Sequence, residues 1–121
     1  MVATILTGLV AALHLYFLYL EMFLWDTPAG RRAFGTTPEF SAASKTLAAN
    51  QGLYNGFLAA GLAWGIWLGD AGFAIRNFFL ICVIAAGLFG FVSLGPKVGR
   101  KILLVQSLPA VLALIANLAA F

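Results

Sequence analysis

Seven residues in this chain have side chains suited to chemistry: His14, Glu21, Asn50, Gln51, Tyr54, Asn55 and Gln106. Four of them, Asn50, Gln51, Tyr54 and Asn55, fall within six residues at the start of an apolar stretch. Amide side chains are costly in hydrocarbon unless each finds a hydrogen-bond partner. The cluster therefore implies a polar interior shared with other helices. Gly52, Gly56, Gly61 and Gly65 supply the close approach that such sharing needs. Glu21 is a carboxylate inside an apolar segment, a rare placement that normally faces the protein interior. There it would serve as a general acid or base, with Tyr54 and the amides orienting a polar group of a substrate. Glu21 also lies about one turn from the end of its segment, so an interfacial carboxylate is the alternative. A second alternative is that the polar residues bond to one another and hold the helices in register.

His14, Glu21 and Trp25 are spaced by seven and four residues, which puts them on one helix face. His14 is about 10 Å from Glu21 along the axis, too far for direct contact. It reads as a hydrogen-bonded structural histidine, or as an axial haem or metal ligand. A single histidine with no cysteine pair makes a poor metal site, so no metal is expected. Cys82 is the one cysteine, which excludes a disulfide within the chain and reads as a small core residue. There is no Ser-His-Asp spacing and no phosphate-binding glycine loop.

The elements that must position these residues are membrane helices. The 121-residue chain is 63% hydrophobic and 9% charged, with mean hydropathy +1.01. Soluble domains carry about 25% charged residues. An all-α, four-helix transmembrane bundle in a single domain is predicted, with helices over about 2–25, 38–68, 73–94 and 102–120. The first is not a signal peptide, because Arg31 and Arg32 follow it rather than precede it. A loop over 26–37 leads to a helix start at Thr37-Pro38-Glu39. Gly69 to Gly72 is a tight turn, residues 95–101 form a basic connection, and Pro109 bends the last helix. Gln106 and Asn117 share a face, with Ser107 beside the kink. The third helix is almost wholly apolar.

The net charge of +3 reflects topology rather than nucleic-acid binding. Arg31, Arg32, Lys45, Lys97, Arg100 and Lys101 belong to the side of the first and third connections, and Arg76 alone to the other. The positive-inside rule places the six-residue side in the cytoplasm and both termini outside.

Four stretches carry a resemblance: His14 to Trp25, Gly30 to Gly35, Ala49 to Leu58 and Lys101 to Ala110. Over essentially the whole chain they closely resemble the bacterial membrane family known as domain of unknown function 1304. That implies the bacterial cytoplasmic (inner) membrane and brings no established activity. More distantly, the order of parts is similar to the MAPEG proteins, the membrane-associated proteins in eicosanoid and glutathione metabolism. Asn50-Gln51 falls where their second-helix motif has its asparagine, and Gln106-Ser-Leu-Pro109 resembles their fourth-helix element. The resemblance implies a MAPEG-like homotrimer with sites between subunits near the cytoplasmic side. Ala48 and Ala49 stand where that motif has basic and histidine residues, and the third helix lacks the expected arginine and tyrosine. Both departures speak against glutathione. The architecture is also similar to that of the haem-containing styrene oxide isomerases, but their second-helix histidine is missing here, which speaks against haem.

The leading expectation is a membrane enzyme or binding protein acting on a small lipophilic molecule at a polar cluster in the cytoplasmic half of the bundle. Glu21 and Tyr54 are the candidate catalytic residues. His14, Asn50, Gln51, Asn55 and Gln106 are the candidate binding residues. Two other classes remain open: a small-solute transport or permeation protein, and a structural or partner-binding membrane protein without catalysis.

Overall fold

The structure, a computed structural model, describes residues Met1–Phe121 and contains helices and no strand. The helices are α1 (Val2–Phe23), α2 (Pro28–Phe34), α3 (Pro38–Ala43), α4 (Lys45–Trp67), α5 (Phe73–Leu94), α6 (Pro96–Ile102) and α7 (Leu108–Ala120). A 3-10 turn, Gly69–Gly72, precedes α5, and a π-helical segment, Leu103–Ser107, joins α6 to α7. Three stretches are long and apolar enough to cross a membrane: Val2–Phe23, Gly69–Leu94 and Pro96–Ala120. The expected span over 38–68 is not among them. Its long helix α4 has 23 residues, about 35 Å at 1.5 Å per residue. Length is therefore sufficient, but its amides and glycines dilute its hydropathy.

The chain forms two compact units, Ala12–Ala59 and Met1–Ala11 with Ala60–Phe121. In the first unit, the expected loop over 26–37 is largely helix α2. The Thr27 hydroxyl caps it by accepting from the Gly30 N–H at 3.3 Å, and Pro28 occupies its first turn. Its carbonyl-end cap is Gly35 in the left-handed region. Thr37 caps α3 in the same way, accepting from the Phe40 N–H at 3.2 Å. The second helix therefore starts where its cap predicts, but it is not continuous. Ser44 departs from helical geometry, and its hydroxyl donates to the Phe40 carbonyl at 2.6 Å. Serine hydroxyls compete in this way with the helical ladder.

Trp25 pins this junction rather than extending the His14–Glu21 face. Its indole N–H donates to the Ser44 hydroxyl at 3.0 Å, and its carbonyl accepts from the Ser41 hydroxyl at 2.9 Å. Beyond the junction, α4 lies close against α1 at Gly52. A Cβ there would sit 2.7 Å from Met22 Cγ and 3.2 Å from the Leu18 carbonyl oxygen. Only glycine permits that approach without displacement.

In the second unit, α5 ends at Gly95, whose φ of 83° favours glycine. The expected basic connection over 95–101 is helix α6, started by Pro96. It passes through the π segment directly into α7. The π segment lies immediately before Leu108-Pro109, where the proline lacks an N–H and its ring crowds the preceding turn. A widened turn relieves both problems. The buried face of this last helix then reads Ser107, Ala110, Ala113 and Asn117. Gln106 is only half-buried, so Ser107 takes the inward position in its place. Leu62, Leu80, Val83, Ala110 and Ala113 form the core of the unit, each with 0% exposure. Phe78, Ile81, Phe89, Val92 and Ile115 are exposed, an arrangement suited to lipid rather than water.

Candidate functional site

Each unit carries a buried polar group. In the first, Glu21 is 2% exposed near the end of α1. The Asn55 side-chain N–H of α4 donates to Glu21 Oε1 at 2.5 Å. The close α1–α4 approach at Gly52 makes that reach possible: the added Cβ there would be 3.0 Å from the Glu21 Cβ. Glu21 Oε2 is buried and makes no hydrogen bond. Burying a polar oxygen without a partner costs roughly 1–3 kcal/mol, so such an atom calls for an explanation. The Gln51 amide also lies beside the carboxylate. The Asn55 contact is the one with full hydrogen-bond geometry.

The remaining expected residues do not close around this carboxylate. Asn50, Gln51 and Tyr54 are exposed and Asn55 is half-buried. Tyr54 turns its ring toward Phe57, with centroids 6.0 Å apart. His14 is fully buried, with its ring edge-on to Phe17 at 5.5 Å. Gln106 belongs to the other unit. No three His, Cys, Asp or Glu residues come together to hold a metal ion. Of the expected set, Glu21 and Asn55 are hydrogen-bonded to each other and Gln51 lies alongside.

The second polar group was not legible as a group. Arg76 of α5 donates through Nη1 to the carbonyls of Gly65 at 2.7 Å and Gly69 at 2.6 Å. These carbonyls, at the end of α4 and in the following turn, suit a cation. Arg76 Nε donates to Asn117 Oδ1 at 2.8 Å. The Asn117 amide nitrogen donates to the Thr7 hydroxyl at 2.9 Å and to the Ala113 carbonyl at 2.8 Å. Thr7 in turn donates to the Ala3 carbonyl at 2.7 Å. Thr7 and Asn117 are 0% and 2% exposed. The third helix, expected to be almost wholly apolar, therefore holds the centre of the unit's polar network. It also buries Asn77, whose side-chain oxygen makes no hydrogen bond.

These features define a helical protein with three segments long and apolar enough to cross a membrane and with polar side chains buried along them. Residues 8–118 match the family model described as "Protein of unknown function (DUF1304)", and the chain belongs to that family. An uncharacterized protein, YpaA of Lactococcus lactis subsp. lactis, is 34% identical over 119 residues, covering 96% of this chain and 97% of that protein. No solved structure matches.

Proposed function

We propose that the chain is a four-span, MAPEG-like protein of the bacterial cytoplasmic membrane that binds a small lipophilic molecule at Glu21. One observation carries this reading. Asn55 holds one oxygen of a buried carboxylate, while the second oxygen is buried with no hydrogen bond. A carboxylate built only as an internal brace would have both oxygens satisfied. A ligand with one O–H or N–H on an otherwise apolar body supplies the missing partner. If turnover follows, Glu21 is the group placed to move the proton. In this reading α4 is the fourth span, and both termini lie outside.

A homotrimer follows from the same reading. As a span, α4 would carry Asn50, Gln51 and Tyr54 exposed on its surface. Polar side chains facing hydrocarbon are unfavourable, and another copy of the chain would cover them.

The test is native mass spectrometry of protein extracted directly into lipid nanodiscs, with an absorption spectrum of the same sample. Wild type should retain a defined small molecule that Glu21→Gln and Asn55→Leu lose while staying folded. Equal retention by wild type and Glu21→Gln would remove the role given to Glu21.

A further inference from the structure

The second unit has an open cleft of about 400 Å³. Its lining includes Thr4 near the start of α1, Asp70 in the 3-10 turn before α5, Phe73 at the start of α5, and Phe121 just past α7. Arg76 and Asn117 line it too. All three membrane-length segments end at this cleft. A chain that spans a bilayer with them carries the cleft at the boundary between water and lipid.

The charges in the cleft are unusual in being left apart. Arg76 and Asp70 both line it, yet they form no ion pair; the chain's ion pair joins Arg31 to Asp26. Arg76 commits Nε and Nη1 to the network described above. Both hydrogens on Nη2 remain to be given. Three hydrogen bonds hold the guanidinium plane, so Nη2 is a donor set in place before any ligand arrives. Asp70 is exposed and has no side-chain hydrogen bond in this structure. Beside them Phe73 stacks on Phe121, with ring centroids 4.2 Å apart.

A simple anion entering here would meet the Asp70 carboxylate, and a simple cation would meet Arg76. A molecule carrying both charges satisfies both walls. The geometry points to a binding site for a zwitterionic phospholipid headgroup of the phosphoethanolamine type. The phosphate accepts from Arg76 Nη2 and the Thr4 hydroxyl, and the ammonium donates to Asp70. The glycerol end lies over the Phe73–Phe121 stack, where the cleft meets the lipid. The inference needs the three apolar segments to cross a bilayer and makes no use of Glu21, so it stands or falls apart from the ligand reading above.

The experiment is native mass spectrometry of the full chain from nanodiscs holding equal parts phosphatidylethanolamine, phosphatidylglycerol and phosphatidylcholine. Phosphatidylcholine is the matched control, because its quaternary ammonium has no N–H to give to Asp70. The wild type should retain phosphatidylethanolamine about tenfold over phosphatidylcholine, the discrimination expected of one charge-assisted hydrogen bond. In Asp70→Asn the ratio should fall to near one. That side chain has no hydrogen bond to lose, so unfolding should match wild type. If the variant does not fold, the wild-type ratio decides alone. Equal retention of the two zwitterionic lipids by wild type would overturn the proposal. So would a dominant phosphatidylglycerol signal unaffected by Asp70→Asn, which would mark a plain anion site. Displacement of the lipid by an equal concentration of glycerophosphoethanolamine would overturn the assignment to a lipid in favour of a soluble molecule.

Discussion

The two buried polar groups of this chain differ in how fully they are satisfied. In the network around Arg76, Asn117 uses its oxygen and both amide hydrogens, and Thr7 both accepts and donates. Nothing buried in Thr7 or Asn117 is left over. Around Glu21, one carboxylate oxygen has Asn55 and the other has no hydrogen bond. A saturated buried network rigidifies, because opening any one link exposes several desolvated groups at once. A half-saturated one spends stability and leaves a group ready for something else. On the proposed reading, the difference separates a brace at Thr7 and Asn117 from a ligand site at Glu21, even though both groups lie in apolar helices.

The strongest way to break this distinction is to remove the centre of the brace. Arg76→Leu deletes three hydrogen bonds and strands Asn117 Oδ1 and two carbonyls. The expected loss is about 3 kcal/mol, roughly 1–3 kcal/mol of it from leaving the buried Asn117 oxygen unpaired and the rest from the two carbonyl bonds of a half-buried guanidinium. Reversible unfolding in mixed micelles measures it. A loss below about 1 kcal/mol would mean that the network is ornamental. Asn117→Leu should cost somewhat less, about 2–3 kcal/mol, because Arg76 keeps its two carbonyl contacts.

On the other side, Gly52→Ala sharpens the comparison. The new Cβ meets the Met22 side chain, which can move, and the Glu21 Cβ and Leu18 carbonyl oxygen, which move only with the backbone. A cost of about 1–2 kcal/mol is expected, with the carboxylate pushed from its place. Ligand retention should therefore fall more than stability does. Glu21→Gln should alter stability by less than about 1 kcal/mol, since a neutral amide keeps the shape and still accepts from Asn55. Its ligand retention should nevertheless be lost. Loss of stability comparable to that of Arg76→Leu would make Glu21 a second brace.

Much of the frame was legible in the residues. Apolar runs marked α1, α5 and α7, and Thr37-Pro38 marked the start of α3. Helices α2 and α6 were read as connections because they are short and charged, although Thr27-Pro28 carried the same cap signal as Thr37-Pro38. The continuous 38–68 helix failed at Ser44, where a side-chain bond to the backbone and the Trp25 contact outcompete regular geometry. Glu21 and Asn55 were both singled out by type, since polar groups in apolar segments are conspicuous. Arg76 was set aside as a lone cation. Its partners lie 41 residues away at Asn117 and, through that amide, a further 110 residues from Asn117 at Thr7. Helical periodicity speaks only of neighbours on one helix, so no spacing rule links them.

The smallest expected effect within one protomer belongs to Tyr54, and it is informative for that reason. Tyr54 was grouped with Glu21 as a candidate catalytic residue, but its side chain is 62% exposed and its ring contact is with Phe57. Its hydroxyl has no hydrogen bond within the chain. Tyr54→Phe should therefore change protomer unfolding by less than about 0.5 kcal/mol, as surface substitutions do. In a spanning α4 the same hydroxyl would face either lipid or a second copy of the chain. Facing lipid, its removal relieves a desolvated polar group and leaves the assembly mass unchanged. Facing a second copy, its removal strands a partner there, and the proposed trimer should dissociate at lower detergent concentration. Mass photometry across a detergent series separates these outcomes. An unchanged assembly would confine the proposed Glu21 site to Glu21 and Asn55, while a weakened one would extend it to the α4 surface that carries Asn50 and Gln51.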